Sequence, residues 1–446
     1  MDRRGFLRLA AGVATLAAGP ACRGKSSGST NAKVAGPKST LRILQWNHFI
    51  PTYDQWFDGF AARWGEEHDT DVLVDHVTAE DVGLRASAEV SARNGHDLVA
   101  FTGSLVAGLE DEVIDHRDIV AEIEAKVGPM LPVIARGVQN PKTGRYVGVS
   151  DGWAPQVVNY RTDLWPSQGA STPDSWETIF RAAPPLKSAG TPVGVGLSPT
   201  SIDCQTTVLS LLFAFGGSLQ DEAGALTLDS PAAVEAVRFT TSLYRSGMSE
   251  DVLTWDNVAD NRLLASGKGS LIIDPVSAIR ATEKQDPEVA AKIALAPPPA
   301  GPAGRPGHIG VVNTYVIWKF AQNPSGAARF LVDLVLGYRE AFLRSEFYNL
   351  PAFPGSVPDL SDLLAADAAA RPSGKYGLFA EAGAWTANPG RPGWDNAAVA
   401  EVSNEYIITQ MFAAAARGEL SAEEAVKRAH AQAQPIFDKW RERGKI

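Results

Sequence analysis

Two tryptophans of this chain stand beside acidic side chains in segments rich in glycine and proline. Asp151 lies two residues before Trp153, and Asp395 directly follows Trp394. An indole ring stacks on the apolar face of a sugar ring, and neighbouring carboxylate oxygens accept hydrogen bonds from the sugar hydroxyls. These residue types in this arrangement favour the binding of a polyhydroxylated small molecule.

Nine of the 11 tryptophans of the chain fall into two groups according to their predicted surroundings. Five lie inside predicted helices or strands and are expected to pack in cores: Trp56, Trp64, Trp176, Trp318 and Trp440. Four lie in predicted loops or at a strand end and are candidates for stacking on a ligand: Trp46, Trp153, Trp385 and Trp394. On this interpretation, Trp153→Ala weakens ligand binding by roughly 1–3 kcal/mol and leaves the stability nearly unchanged.

The histidines do not form a pattern that is typical of a metal site. His48 follows a predicted strand and could donate a hydrogen bond to a ligand, whereas four others are scattered along the chain: His76, His96, His116 and His308. They lack the i, i+4 spacing and the cysteine partners of zinc sites. We therefore predict neither a metal ion nor a cofactor, since phosphate-binding and dinucleotide-binding glycine motifs are also missing.

An exported enzyme remains an alternative interpretation of the acidic residues. Two carboxyl groups such as those of Asp151 and Asp274 could act as acid and base on a glycoside. The sequence contains no Gly-x-Ser-x-Gly nucleophile motif. A binding protein without enzymatic activity is the favoured interpretation.

Length and charge exclude several classes of partner. A chain of 446 residues can build two lobes, because single hydrophobic cores seldom exceed about 250–300 residues. The formal net charge of −10 argues against nucleic acid as the partner. Cys22 and Cys204 are the two cysteines, so a chain that begins at Cys22 has one cysteine in its folded body and forms no disulfide there.

The amino-terminal segment has the composition of an export signal. Residues 1–21 combine Arg3 and Arg4 with a mildly apolar stretch that is shorter than the roughly 20 residues needed to span a bilayer. The run RRGFL resembles a twin-arginine signal, and Cys22 resembles the acylated cysteine of a bacterial lipoprotein. We expect removal of residues 1–21, acylation of Cys22, and a flexible tether over residues 22–40. The protein is then exported, and it is either lipid-anchored on the outer side of the cytoplasmic membrane or periplasmic.

The hydrophobic period predicts alternating strands and helices. Strands are expected at residues 41–46, 72–77 and 97–101, with helices at 53–67 and 81–94 between them, which is typical of a parallel sheet covered by helices. Ligands bind beyond the carboxyl ends of such strands, where Trp46, His48 and Ser104 lie. Further strands are predicted at 146–149, 156–160, 193–197, 270–274 and 311–318. Helices are predicted at 175–181, 206–215, 230–245 and 326–337, and over most of the chain after residue 380. Residues 294–305 are predicted to be a loop.

Several strings, in this order, resemble the extracellular solute-binding proteins of ABC import systems, specifically the large carbohydrate-binding type. They are the strand at residues 41–46 with the aromatic helix after it, VVNYRTDLW at 157–165, FGG at 215–217, and LASGKGS at 264–270. The chain departs from the family at Asp274 and Pro275, where the family has glycine and an aromatic residue. The resemblance covers nearly the whole chain after the signal.

The resemblance implies an α/β fold of two lobes, each a mostly parallel sheet flanked by helices, with the ligand cleft between the lobes. It places residues 41–150 and 275–330 in lobe 1, and residues 155–270 and 335–446 in lobe 2. It implies a monomer that closes around a solute and is recognised by ABC permease subunits in the membrane. The residues expected to face the cleft are Trp46, His48, Ser104, Asp151, Trp153, Asp274, Tyr315, Trp385 and Trp394.

The ligand is expected to be a neutral sugar, a small oligosaccharide or a polyol. An anionic ligand would require arginines or a helix amino terminus, and no basic cluster marks the predicted cleft. Arg391, close to Trp394 in the sequence, is the one nearby cation that could change this expectation.

Overall fold

The computed structural model describes residues 38–103, 105–169 and 172–446, with the backbone alone for residues 105 and 308–311. The predicted signal peptide, Cys22, the tether as far as residue 37 and the candidate ligand residue Ser104 lie outside the described residues. Residues Ser39–Ile446 form one compact unit. Among the helices of the described part, none is long and apolar enough to cross a membrane.

Eleven strands are present in the described part of the chain. They are β1 (Ser39–Trp46), β2 (Thr70–Val77), β3 (Leu98–Thr102), β4 (Val149–Pro155), β5 (Val157–Arg161), β6 (Val193–Gly194), β7 (Leu271–Asp274), β8 (Ile293–Ala296), β9 (Gly307–Ile317), β10 (Leu350–Pro351) and β11 (Thr386–Ala387). They build a first sheet in the order β10-β4-β9-β3-β1-β2, with β11 beside β9, and a second sheet in the order β6-β7-β5-β8.

Sixteen α-helices cover these sheets in the described part of the chain. They are α1 (Pro51–Glu67), α2 (Asp81–Ala92), α3 (Arg117–Val127), α4 (Pro132–Val138), α5 (Trp176–Ser188), α6 (Ile202–Ala214), α7 (Pro231–Gly247), α8 (Ala259–Ala265), α9 (Ser277–Gln285), α10 (Pro287–Ala290), α11 (Pro324–Leu336), α12 (Tyr338–Arg344), α13 (Leu360–Ala365), α14 (Ala397–Asn404), α15 (Ile407–Ala416) and α16 (Ala422–Glu442). Short 3₁₀ helices occur at Leu105–Leu109, Pro166–Gln168, Glu250–Leu253, Pro354–Ser356 and Lys375–Ala384.

The sheets are mixed rather than mostly parallel. The predicted opening is confirmed, because β1 pairs in parallel with both β2 and β3. However, β9 runs antiparallel to its neighbours β3 and β4, and β5 runs antiparallel to β7 and β8. The chain leaves the first sheet at Gln156, between β4 and β5, and returns to it at β9. Because the chain re-enters the first sheet at the edge where β1 and β3 end, β9 runs in the opposite direction to these two strands.

Local signals account for the helix starts. The prediction that Ser230 caps a helix with Pro231 in its first turn is confirmed, since the Ser230 hydroxyl accepts a hydrogen bond from the Ala233 backbone N–H at 3.2 Å. Ser201 caps α6 in the same way through the N–H of Cys204. These caps fix where each helix leaves the loop before it.

The structure corrects two of the predicted strand and loop boundaries. The segment 150–155, expected as a connection between strands, is most of β4, and the strand expected at 146–149 begins only at Val149. The loop expected at 294–305 begins with the last residues of β8. In both cases backbone pairing with a strand that is distant in the sequence, β9 for β4 and β5 for β8, overrides the local turn residues.

Two hydrophobic cores mark the lobes. The first surrounds the larger sheet, and the second surrounds the smaller sheet together with α5–α7 and α14–α16. The buried apolar residues between positions 327 and 382 pack in the first core, although the resemblance placed residues from 335 onward in lobe 2. The five tryptophans that were expected to be core residues are buried, with Trp56, Trp64 and Trp318 in the first core and Trp176 and Trp440 in the second.

Candidate functional site

A cluster of mostly buried rings, which we call the aromatic wall, forms where β1 ends on the first lobe and consists of Trp46, His48, Phe49, Tyr53 and Tyr348. Trp46 is the last residue of β1, and its ring lies 4.8 Å from the ring of His48 and 5.5 Å from that of Phe49. The His48 ring also lies 4.4 Å from Tyr53 and 5.0 Å from Tyr348. The rings are held together because α1 begins at Pro51 and fixes the turn after β1.

His48 is held as a neutral donor in this wall. Its Nδ1 accepts a hydrogen bond from the Ile50 backbone N–H at 2.9 Å, so its Nε2 carries the proton and donates to Asn349 Oδ1 at 3.3 Å. Burial lowers the pKa of His48 to about 4. The ring therefore has no positive charge near neutral pH and acts as a rigid, uncharged part of the wall.

A second wall on the other lobe consists of three carboxyl groups. Asp203 lies in the first turn of α6, Asp260 in the first turn of α8, and Asp274 at the end of β7. One carboxylate oxygen from each lies within 4.8 Å of the others. The Ser277 hydroxyl donates to Asp274 Oδ2 at 2.9 Å. Three elements that are distant in the sequence thus converge on one cluster, which we call the acidic wall.

Burial keeps part of the acidic wall protonated. Burial raises the pKa of Asp260 to about 7, and it raises the pKa of Asp203 and of Asp274 well above their usual range, with the neighbouring carboxyl groups adding to both shifts. Protonated carboxyl groups donate hydrogen bonds, and ionised ones accept them. The acidic wall can therefore donate hydrogen bonds to the hydroxyl groups of a ligand and also accept hydrogen bonds from them. Its oxygen atoms are close enough together that they could also hold a cation.

Tyr348 brings the two walls into proximity. It belongs to the first core, and its ring packs edge-on against His48. Burial raises the pKa of its hydroxyl well above 10, and the charges of Asp274, Asp203 and Asp260 raise it further. The aromatic wall and the acidic wall therefore lie close to each other.

A buried polar cluster lies behind the aromatic wall. The Tyr53 hydroxyl donates to Asp151 Oδ2 at 3.4 Å, and the Tyr315 hydroxyl donates to Gln45 Oε1 at 3.2 Å. Burial raises the pKa of Asp151 to about 7. A Cβ on Gly152 would lie 1.7 Å from the Tyr338 hydroxyl, so only glycine lets this tyrosine pack against β4. Asp151 and Tyr315 thus belong to a buried polar layer that packs behind the aromatic wall.

The structure distributes the predicted site residues over several places. Trp46, His48 and Asp274 lie in the two walls, and Asp151 and Tyr315 lie in the cluster behind them. Asp151 and Asp274, the candidate acid–base pair, belong to different side-chain clusters. Asn313, on β9, is a buried neighbour of Asp151 that the sequence analysis did not single out.

Three tryptophans lie away from these walls. The prediction that Trp153 lies in a loop is wrong, because it is a 2% exposed residue of β4 whose indole N–H donates to the Pro351 carbonyl at 3.2 Å. Trp385 is half-buried against the first core. Half-buried Trp394 lines a separate groove of about 510 Å³ with Asn140, Gln220 and the carboxyl-terminal residues. Arg391 approaches the Phe213 ring at 5.9 Å instead of the acidic wall.

Sequence reasoning missed Asp203, Asp260 and Tyr348. Asp203 follows the capping Ser201 at the start of a predicted apolar helix, which is a recognisable signal for an acidic residue at a helix amino terminus. Asp260 and Tyr348 lie in segments without a strong periodic pattern, so no local signal separates them from ordinary surface residues.

Comparisons with known proteins identify the family of this chain. A model of the family described as bacterial extracellular solute-binding protein matches residues 51–345. A binding protein of Brucella abortus (strain 2308) is 22% identical over 264 residues, which are 58% of this chain and 61% of that protein. An ABC transporter-binding protein of Deinococcus radiodurans is 28% identical over 199 residues, which are 41% of this chain and 46% of that protein. The chain thus spans between 46% and 61% of the length of these curated relatives.

Solved structures share the fold. An ABC transporter solute-binding protein from Thermotoga lettingae, bound with α-D-tagatose, superposes with a TM-score of 0.74 at 18% identity, covering 90% of this chain and 100% of that chain. A sugar transporter from Arthrobacter chlorophenolicus with bound laminaribiose gives 0.75 at 15% identity, covering 89% of this chain and 99% of that chain. At these identities the likeness shows the fold, and it confirms the two-lobed α/β architecture.

Proposed function

Because this chain belongs to the bacterial extracellular solute-binding protein family, we propose that it captures a neutral carbohydrate or polyol between its lobes and delivers it to an ABC permease. The observation that supports this most directly is the pairing of the aromatic wall with the acidic wall. Aromatic faces pack against the apolar side of a sugar, and carboxyl groups meet its hydroxyls. The tagatose-bound and laminaribiose-bound structures are consistent with this ligand class.

The acidic wall favours an uncharged ligand over an anion. Its carboxyl groups supply no positive charge to balance an anion, and each of them that ionises repels one, while Arg391 lies against Phe213 instead. A neutral polyol can accept from the protonated carboxyl groups and donate to the ionised ones. The ligand contacts that we propose are Trp46, His48 and Asp274 from the sequence analysis, together with Asp203, Asp260 and Tyr348. All of them except Asp203 are at most 5% exposed, so we propose that they become accessible to the ligand when the lobes open. Ser104, Trp385 and Trp394 remain predictions as ligand contacts.

Closure of the two lobes around the solute is the proposed mechanism. Contacts made by one ligand to walls on different lobes stabilise the closed arrangement relative to the open one. We propose that the protein acts as a monomer, without a cofactor, and that its membrane partners recognise the closed form.

A thermal-shift screen tests the ligand class. We expect the melting midpoint to rise with at least one of D-tagatose, ribitol, laminaribiose or maltose, because a ligand at a hundred times its dissociation constant stabilises by about 2.7 kcal/mol. Sugar phosphates and amino acids serve as controls that should leave the midpoint unchanged. A rise confined to these controls would show that the neutral-carbohydrate proposal is wrong, while the family assignment would stand.

Export with a lipid anchor is proposed on the amino-terminal sequence alone. We expect Cys22→Ala to move the protein from the membrane fraction to the soluble extracytoplasmic fraction, because the acylated thiol is then missing. Fractionation followed by immunoblotting measures this, and Cys204→Ala, at a buried position in α6, is the matched control. Full retention of the Cys22→Ala variant in membranes contradicts acylation at this site.

A further inference from the structure

A polar contact joins the two lobes beside the acidic wall. Glu80 directly precedes α2 on the first lobe, and Asn257 lies shortly before α8 on the second. The Asn257 side-chain amide donates a hydrogen bond to Glu80 Oε1. Glu80 is exposed, and the hydrogen bond from the Asp203 backbone N–H to Asn257 places the contact beside the acidic wall.

The orientation of the Asn257 amide is determined by its other contacts. Its Oδ1 accepts from the Ser201 hydroxyl at 2.8 Å and from the Asp203 backbone N–H at 3.4 Å. A backbone N–H can only donate, so the oxygen of the amide must face α6 and its nitrogen must face the first lobe. The donor to Glu80 is therefore positioned by contacts within the second lobe.

The same contacts connect this pair to the acidic wall. Ser201 is the cap of α6, and Asp203 stands in its first turn. A shift of the first turn of α6 therefore moves both a carboxyl group of the cleft and the partner of Glu80. Tyr406, at the start of α15 on the second lobe, is a further neighbour, because the Glu80 charge adds to the effect of burial in raising its pKa.

We propose that Glu80 and Asn257 form an inter-lobe latch that holds the lobes together even without solute, and that α6 couples this latch to the acidic wall. The inference rests on the proposed capture of a solute in this cleft, for which the two side chains are positioning residues. A hydrogen bond with one ionised partner is about twice as strong as a neutral one.

Solution scattering from the solute-free protein tests the latch. Asn257→Asp keeps an oxygen that accepts from Ser201 and from the Asp203 N–H, but it places a carboxylate against Glu80. We expect a larger radius of gyration for N257D than for the wild type, and a return to the wild-type value in the double variant E80K/N257D, where opposite charges face each other again. Glu67→Ala, at an exposed glutamate at the end of α1, is the matched control and should leave the radius unchanged.

The outcome separates the latch from the proposed ligand. Equal radii for wild type and N257D overturn the latch, and so does an N257D radius that E80K does not reduce. A circular dichroism spectrum like that of the wild type shows that N257D is folded. Because no solute is present, a failed sugar screen leaves this result intact, and a successful screen does not rescue a latch that scattering contradicts.

Discussion

Trp153→Ala should lower the free energy of unfolding by about 3–5 kcal/mol, the usual cost of truncating a large aromatic core residue. The indole is 2% exposed on β4, whose backbone pairs with β9 at Val312 and with β10 at Leu350. Truncation leaves a cavity and removes the donor that satisfies the Pro351 carbonyl at 3.2 Å. This replaces the expectation from the sequence that stability would be nearly unchanged.

Urea unfolding followed by fluorescence and circular dichroism measures this loss. Trp394→Ala is the matched control, because it removes a half-buried indole outside the sheets and should cost less. If W153A unfolds at the same urea concentration as the wild type, the ring does not contribute to the core in the way that the structure indicates.

Asp151→Asn should stabilise the protein increasingly as the pH rises. Burial raises the pKa of Asp151 from 3.8 to about 7, so the folded state favours the protonated form. The stability that this proton contributes is fully present below the unfolded pKa and is lost as the pH rises through the folded pKa. At about 1.4 kcal/mol per pKa unit, the loss by pH 8 amounts to roughly 4 kcal/mol, and a neutral asparagine avoids it.

The difference in unfolding free energy between D151N and the wild type, measured from pH 4 to pH 8, tests this prediction. Buried His48 and His116 act in the opposite sense, because their pKa values are lowered to about 4 and their contribution is lost as the pH falls below 6.5. They are present in both proteins and therefore cancel in the difference. A difference that stays constant with pH would mean that Asp151 is ionised in the folded state throughout this range.

Much of the fold could be predicted because its signals are local. The alternation of strands and helices from β1 to β3 follows from hydrophobic period, and the start of α7 follows from Ser230 and Pro231. The family resemblance also holds, since it depends on the order of such strings. The antiparallel insertion of β9 could not be predicted, because strand direction depends on where the chain returns from the other lobe.

The candidate site was only partly predictable for a similar reason. Trp46 ends a recognisable strand and His48 follows it, and strand ends mark ligand sites in α/β sheets. Asp203 and Asp260 become significant only next to Asp274, and the burial that raises their pKa values exists only in the folded chain.

The sequence by itself determined the family, the α/β class and the core tryptophans, because hydrophobic periodicity and short motifs can be recognised within short stretches of sequence. Only the tertiary structure decided which polar residues cluster together, that Trp153 belongs to a strand, and that Glu80 contacts Asn257. These depend on contacts between residues that are far apart in the sequence, 177 positions for Glu80 and Asn257. No local sequence pattern specifies a contact between residues so far apart in the sequence, because the contact forms only when the whole chain packs.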